Sequence, residues 1–318
     1  MSEYNFVGVD IAKNKFDVAL KCGSRFVESV FENNISGFKA FKKWLLKHAV
    51  QAWVCLEATG HYGEGVAEFL FHNNIKASVV NPMQIKHHAK SLLTRNKNDK
   101  VDARIIASYA EIFRPKGFNP KSSDQKEIKE IARLIEVLEA QKQQLANQLE
   151  SAQCNSIRKE IKKIIRSIEK RIAELEVKLK SKIANNAESS ENKERLISIK
   201  GIGEKTADRL IAYLPDVTQF KNAKQFAAYA GLCPRQFQSG QHSGKSRLSK
   251  YGDSRLRKTL YMPALVAKRF NPHLQSFCQR LQKNGLKPKA IVCAVMRKLL
   301  HIIFGMLKNK QSFNVELA

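Results

Sequence analysis

The sequence predicts an α/β layer followed by an all-helical remainder, and three observations carry that expectation. Short apolar runs alternate with helical patterns over roughly the first 115 residues. Apolar residues then recur at three-four spacing from 124 to 182. Beyond about 195 the pattern stays helical while the charge turns almost wholly positive. With 318 residues, 43% of them hydrophobic, the chain can bury cores for two or three domains. The expected boundaries are 1–120, 121–185 and 186–318.

In order along the chain, "NFVGVDIAKNKFDVAL" (5–20) and "SRFVESVF" (24–31) read as two strands joined at Cys22–Gly23. "AWVCLEA" (52–58) and "KASVVN" (76–81) add two more, and helical patterns fall at 36–48, 63–73 and 99–112. Ile128, Ile131, Ile135, Leu138, Leu145 and Leu149 then form one apolar seam, with Lys142 at one seam position. After "SAQCNS" the spacing resumes through Ile161, Ile165, Ile168, Ile172, Leu175 and Leu179. Two such arms predict a coiled-coil hairpin that brings subunits together, or else a solvated helical spacer. "SKIANNAESSENKE" (181–194) reads as a polar linker.

Lys and Arg number 56 against 29 acids, a net charge of +27. Between 221 and 310 there are 19 Lys and Arg and one acid, Asp253. A solvated face mixes its signs, so this asymmetry points to a polyanionic partner, with nucleic acid ahead of an anionic membrane. No basic amphipathic anchor or long apolar run favours the membrane. "MSEYNFVGVD" has no basic leader region, which predicts a cytoplasmic protein. The six cysteines are scattered without a CxxC pair, which predicts reduced thiols and no zinc site.

Four acids stand out. Asp10 lies inside an apolar strand, where an unpartnered charge is costly, and Glu57 ends a second strand. Asp99 and Asp102 share one face at the start of a helix, where acids also suit the helix dipole. Four converging carboxylates would repel one another unless divalent cations neutralised them. Two metal ions held this way can position and activate a phosphodiester. A strand Asp, a second-strand Glu and a late helical Asp pair form the pattern of ribonuclease-H-like nucleases.

Two further motifs lie in the basic part. "LISIKGIGEKTADRLIAYL" (196–214) has a Gly-rich turn of helix–hairpin–helix type. Lys200, Gly201, Gly203, Lys205 and Thr206 would there meet a nucleic-acid backbone; the alternative is an ordinary helix turn. "YAGLCPRQFQSGQHSGKSRLSKYGDSRLRKTLYMPAL" (229–265) places Ser239 among Arg235, Lys245, Arg247, Lys250, Arg255, Arg257 and Lys258. A serine attacking phosphorus needs such cations around the developing charge. No His–Asp pair at triad spacing accompanies it, and His242 reads as a loop residue.

"GVDIAKNKFDVAL", "CLEATGHYG", "KNDKVDARIIA", "GIGEKTA", "GLCPRQFQSG" and "SKYGDSRLRKTLY" together resemble the DEDD-type insertion-sequence transposases of the one-ten family, the bridge-RNA-guided recombinases. The resemblance runs over nearly the whole chain in the same order. It implies a RuvC-like DEDD domain carrying Asp10, Glu57, Asp99 and Asp102 as catalytic Mg²⁺ ligands. It implies a transposase domain with Ser239 as nucleophile, although Ser243 also precedes a glycine in the same loop. It further implies donor and target DNA, a structured guide RNA, a dimer or tetramer with a composite site, and a nucleoid-associated protein. Two other functions stay open on the residues alone: a junction-resolving nuclease that uses water, and a non-enzymatic nucleic-acid scaffold.

Overall fold

A five-stranded mixed sheet organises the first of two compact units, Met1–Lys121, while Ser122–Ala318 forms the second, largely helical unit. The computed structural model describes residues 4–49, 51–58, 60, 62–93, 99–120, 122–235, 238–239, 242–243 and 247–313, with backbone alone at 238–239 and 242–243.

Strands β1 (Asn5–Ile11), β2 (Lys15–Cys22) and β3 (Arg25–Glu32) form an antiparallel meander. Strands β4 (Ala52–Glu57) and β5 (Lys76–Val80) run parallel to β1, giving the order β3-β2-β1-β4-β5. Helices α1 (Ile35–His48) and α2 (Glu64–His72) make the connections that parallel strands require. Helices α3 (Pro82–Ser91) and α4 (Asp99–Phe113) follow the last strand.

Both faces of the sheet are covered. Val7, Val9, Ile11, Val54 and Leu56 pack with Phe38, Phe41 and Leu45 of α1 and Val66 and Leu70 of α2. The alternate residues Phe6, Trp53 and Cys55 pack with Ile85 of α3 and Ile105, Ile106 and Tyr109 of α4. Period-two alternation therefore sends Gly8 and Asp10 to the α4 side. A Cβ at Gly8 would lie 2.0 Å from the Ala103 carbonyl oxygen and 2.3 Å from the Ala107 amide nitrogen. Only glycine admits the helix this close to the strand.

In the second unit, α5 (Ser123–Ser151) and α6 (Asn155–Ala184) form an antiparallel helical hairpin. Near its base, Glu127 Oε1 lies 2.9 Å from Lys178 and its Oε2 lies 2.6 Å from Lys182. The basal seam residues Ile128, Ile131, Ile135, Leu179 and Ile183 join the main core of the unit, whereas Leu145, Leu149, Ile161 and Ile165 near the turn are half-buried. That core is completed by α7 (Ala187–Ile197), α8 (Glu204–Tyr213), α9 (Ala223–Tyr229), α10 (Ser254–Phe270), α11 (Pro272–Lys283) and α12 (Pro288–Asn309). Among the described helices, α12 alone has the length and apolarity of a membrane span, but nine of its residues are buried in this core.

Two expectations are corrected and one unread helix is added. The run 5–20 is not one strand: the Ala12 amide donates to the Lys15 carbonyl at 2.9 Å and reverses the chain between β1 and β2. Residues 82–91 form a helix, started by Asn81, whose side chain accepts from the Met83 amide, and by a proline in the first turn. The polar stretch 181–194 is mostly helical, because α6 runs on to Ala184 and Asn186 caps α7 through the Ser189 amide.

Two glycines test this packing. Gly8→Ala forces a methyl into helix backbone and should destabilise the first unit by about 3 kcal/mol. Gly305, inside α12, has open space around its Cβ position, so Gly305→Ala should stabilise by about 0.5–1 kcal/mol. Urea melts of both variants check the opposite signs; a neutral Gly8→Ala would refute the close approach.

Candidate active site

The acids gather at the carboxyl ends of β1 and β4. In the parallel register Gly8 pairs with Cys55 and Val9 with Leu56, so Asp10 and Glu57 follow one step beyond on neighbouring strands. Helix α4 lies along the same face. Ala103 and Ala107 sit over Gly8, so the first turn of α4, carrying Asp99 and Asp102, reaches toward Asp10. The sheet thus brings all four predicted acids into one electrostatic neighbourhood.

Asp10 records that neighbourhood. Its carboxyl is pushed up to about 6, chiefly by burial and then by the charges of Asp102, Asp99, Glu57 and Asp17. Asp17 was missed in the sequence. It pairs with Asp10 across the antiparallel β1–β2 register and is only 5% exposed. Lys15, also missed, places its Nζ 3.1 Å from an Asp17 oxygen and 3.1 Å from an Asp99 oxygen. A signal for Asp17 existed, since it interrupts the apolar run "KFDVAL" as Asp10 interrupts "FVGVDIA".

The donor set consists of carboxylate oxygens, which suits a hard divalent cation such as Mg²⁺. As placed, no three Asp, Glu, His or Cys side chains among the described residues stand in ligating geometry. The acids share a field rather than one coordination shell.

In the second unit the turn from α7 to α8 is held from inside. Ile199 and Ile202 are buried, and Gly201, at φ +115°, would bring a Cβ to 3.1 Å from Ala267 of α10. Lys200 and Gly203 are exposed, Thr206 is half-buried, and Lys205 contacts Glu176 at 2.8 Å. Gly201 therefore serves packing whatever else the turn meets.

Ser239 lies on β7 (Gln238–Ser239), which pairs antiparallel with β8 (His242–Ser243), Ser239 opposite His242. A second small ribbon, β6 (Pro234–Arg235) with β9 (Arg247–Leu248), flanks it in sequence. Lys245 and the side chains of Ser239 and Ser243 lie outside the described residues. The base of these ribbons is firmly built. The Asp253 amide donates to the Tyr229 carbonyl at 2.9 Å, and Arg257 donates to the carbonyls of Ala230 and Gly252 at 2.8 and 3.0 Å. Gly231 and Gly252 both take positive φ there. The lone acid of the basic stretch, Asp253, caps α10 by accepting from the Arg255 and Leu256 amides.

The cations therefore divide. Arg257 spends its guanidinium on backbone carbonyls, and Arg255 lies 3.5 Å from Glu136 of α5. Arg235, Arg247, Lys250 and Lys258 are exposed.

Comparison with known proteins fits both parts. Residues 7–152 match a model of DEDD-type transposases, and residues 193–279 match a model described as the IS116/IS110/IS902 transposase family. The chain is similar to the pilin gene-inverting proteins of Moraxella bovis and Moraxella lacunata, each 34% identical over 317 residues and covering 97% of both chains. It is also similar to the transposase for insertion sequence element IS1328 of Yersinia enterocolitica, 23% identical over 95% of this chain and 96% of the relative.

The raised pKa of Asp10 makes a stability prediction. Between pH 3.8 and about 6 the folded state holds a proton that the unfolded state has lost, so stability falls as pH rises through that window. Asp10→Asn removes the penalty. Discounted for the partial exposure of Asp10, the gain at pH 7 without divalent cations should be about 1 kcal/mol, or roughly 2–4 °C. It should vanish toward pH 4. Melts across that range check it, and an unchanged or lower Tm at pH 7 would contradict the convergence of the acids.

Proposed function

The chain belongs to the IS110 family of transposases and is a DNA recombinase; from that premise we propose that Ser239 cuts and rejoins DNA and that Asp10, Glu57, Asp99 and Asp102 form a Mg²⁺ site for the same reaction. In the first step the Ser239 Oγ attacks phosphorus. An Oγ–P bond forms, the P–O bond to one sugar breaks, and the released hydroxyl gains a proton as the serine loses one. A second DNA hydroxyl then attacks the phosphoserine and frees the serine, conserving the bond. Mg²⁺, when bound, neutralises developing charge on the phosphate.

The observation that carries this reading is the influence of Asp102, Asp99 and Glu57 on Asp10, which accounts for acids kept together in so basic a chain. The exposed cations of the second unit, Arg235, Arg247, Lys250 and Lys258, supply phosphate contacts, together with Lys245 and the turn at Lys200–Thr206. A structured guide RNA selects donor and target DNA in this reading. The tip of the α5–α6 hairpin, with its half-buried seam, serves a coiled-coil self-association into a dimer or tetramer. The relatives named for inverting a pilin gene favour a second reading of the reaction's outcome, inversion of a chromosomal segment rather than movement of an element.

Nucleophile and metal site separate by mutation. Ser239→Ala should abolish strand joining and any covalent protein–DNA band while Mg²⁺ binding persists. Asp102→Asn should weaken Mg²⁺ binding and also abolish joining. Joining by Ser239→Ala together with failure of Ser243→Ala would move the nucleophile four residues along the chain. Loss of joining with free nicked DNA and no covalent band would instead mark a water-using nuclease.

The division of the cations gives another test. Lys258→Gln should leave the fold intact and reduce the slope of log affinity against log salt by about 0.9. Arg257→Gln should instead destabilise the second unit by about 2–3 kcal/mol through its two carbonyl bonds. Equal stability losses in the two variants would contradict this assignment.

A further inference from the structure

The carboxylate site contains a cation of its own. Lys15 is the first residue of β2, just after the turn from β1, and its Nζ is 3.1 Å from Oδ2 of both Asp17 and Asp99. Asp17 is buried and fixed in register opposite Asp10, so it is a rigid anchor. Asp99 opens α4 and is more than half exposed, so it is the partner able to move. The later turns of α4 are tied independently, by ion pairs from Arg104 to Glu28 and from Lys21 to Glu111. The helix as a whole therefore does not depend on Lys15, which ties Asp99 at its start.

We propose that Lys15 is a positioning residue that serves as the internal counter-charge of this site: anchored on Asp17, it holds Asp99 in place and gives way when a divalent cation enters. The inference rests on the reading that Asp10, Glu57, Asp99 and Asp102 take such a cation. The physical reason is a conflict of like charges. A divalent cation among these acids would stand close to the ammonium that already ties one of them, Asp99, to Asp17. Lys15 has a flexible four-carbon stem and is half exposed, so it can swing toward solvent at little cost. Asp17, left behind, would add its negative charge to the site when the cation arrives. Lys15 thus holds Asp99 against Asp17 without metal and tempers the affinity for it.

The test uses full-length protein, with Mg²⁺ and Mn²⁺ as probes, in calorimetric titration and in melts with chelator or saturating Mg²⁺. Lys15→Gln removes the charge and Lys15→Arg keeps it. Lys15→Gln should bind either metal about three- to tenfold more tightly. It should melt below wild type in chelator and match it in saturating Mg²⁺. Lys15→Arg should return both properties to wild-type values, a rescue that a purely packing role would not give. If wild type binds metal and Lys15→Gln binds it equally or more weakly, the inference is overturned while the carboxylate reading stands. If neither protein binds metal, the carboxylate reading fails and the inference falls with it.

Discussion

The distance between helix α4 and strand β1 decides whether this protein has a carboxylate site at all. Backbone meets backbone where Gly8 lies under Ala103 and Ala107, with no room for a Cβ on the strand. Ala103, Ala107 and Ala110 recur at three-four spacing on the inward face of α4, and all three are fully buried. Small residues on both partners allow the approach, and Ile106 and Tyr109 fill the space beside it. Asp99 and Asp102 are carried toward Asp10 as a consequence, because they ride on the first turn of the same helix. The ion pairs Arg104–Glu28 and Lys21–Glu111 then fix the helix along β2 and β3.

The second unit uses the same economy around its ribbons. Gly231 and Gly252 allow the chain to pass under the Arg257 guanidinium, which bonds carbonyls from both sides of the loop. Asp253 starts α10 directly after this crossing. Glycine, an arginine clamp and a helix cap together build the base of these ribbons. Glu136 and Glu139, both on α5, meet Arg255 and Arg209, so the hairpin base and the basic helices are locked by charge as well as by core packing.

Much of this was legible because the signals were local. Short apolar runs between turn residues marked β3, β4 and β5, and three-four spacing marked α5 and α6 to within a few residues. The break between β1 and β2 was hidden because "AKNK" looks like solvent-facing strand and carries neither glycine nor proline. Helix α3 was hidden because its polar sequence, "PMQIKHHAKS", buries only Ile85 and His88. Of the site, the four acids were readable from their odd positions in apolar or basic surroundings. Asp17 left a signal that went unread, its interruption of "KFDVAL", whereas Lys15 left none, because its contact with Asp99 spans 84 positions. The division of arginines into clamps and exposed cations was equally invisible, since an arginine that bonds carbonyls looks like any other in sequence.

Why a chain of net charge +27 keeps these acids together can now be argued from where its other acids go. Glu127 is held below the usual carboxylate range by Lys182 and Lys178, and Glu204 likewise by Lys180. Glu28, Glu111, Glu136, Glu139 and Glu176 each face an arginine or a lysine, and Asp253 faces helix amides. These acids offset the surplus of cations where the fold needs packing. Asp10 has its pKa raised, and after burial its causes are all other acids. Such an arrangement around Asp10 costs stability. Acids set against Asp10 oppose its charged form, while Lys15 offsets the charges of Asp17 and Asp99 beside it.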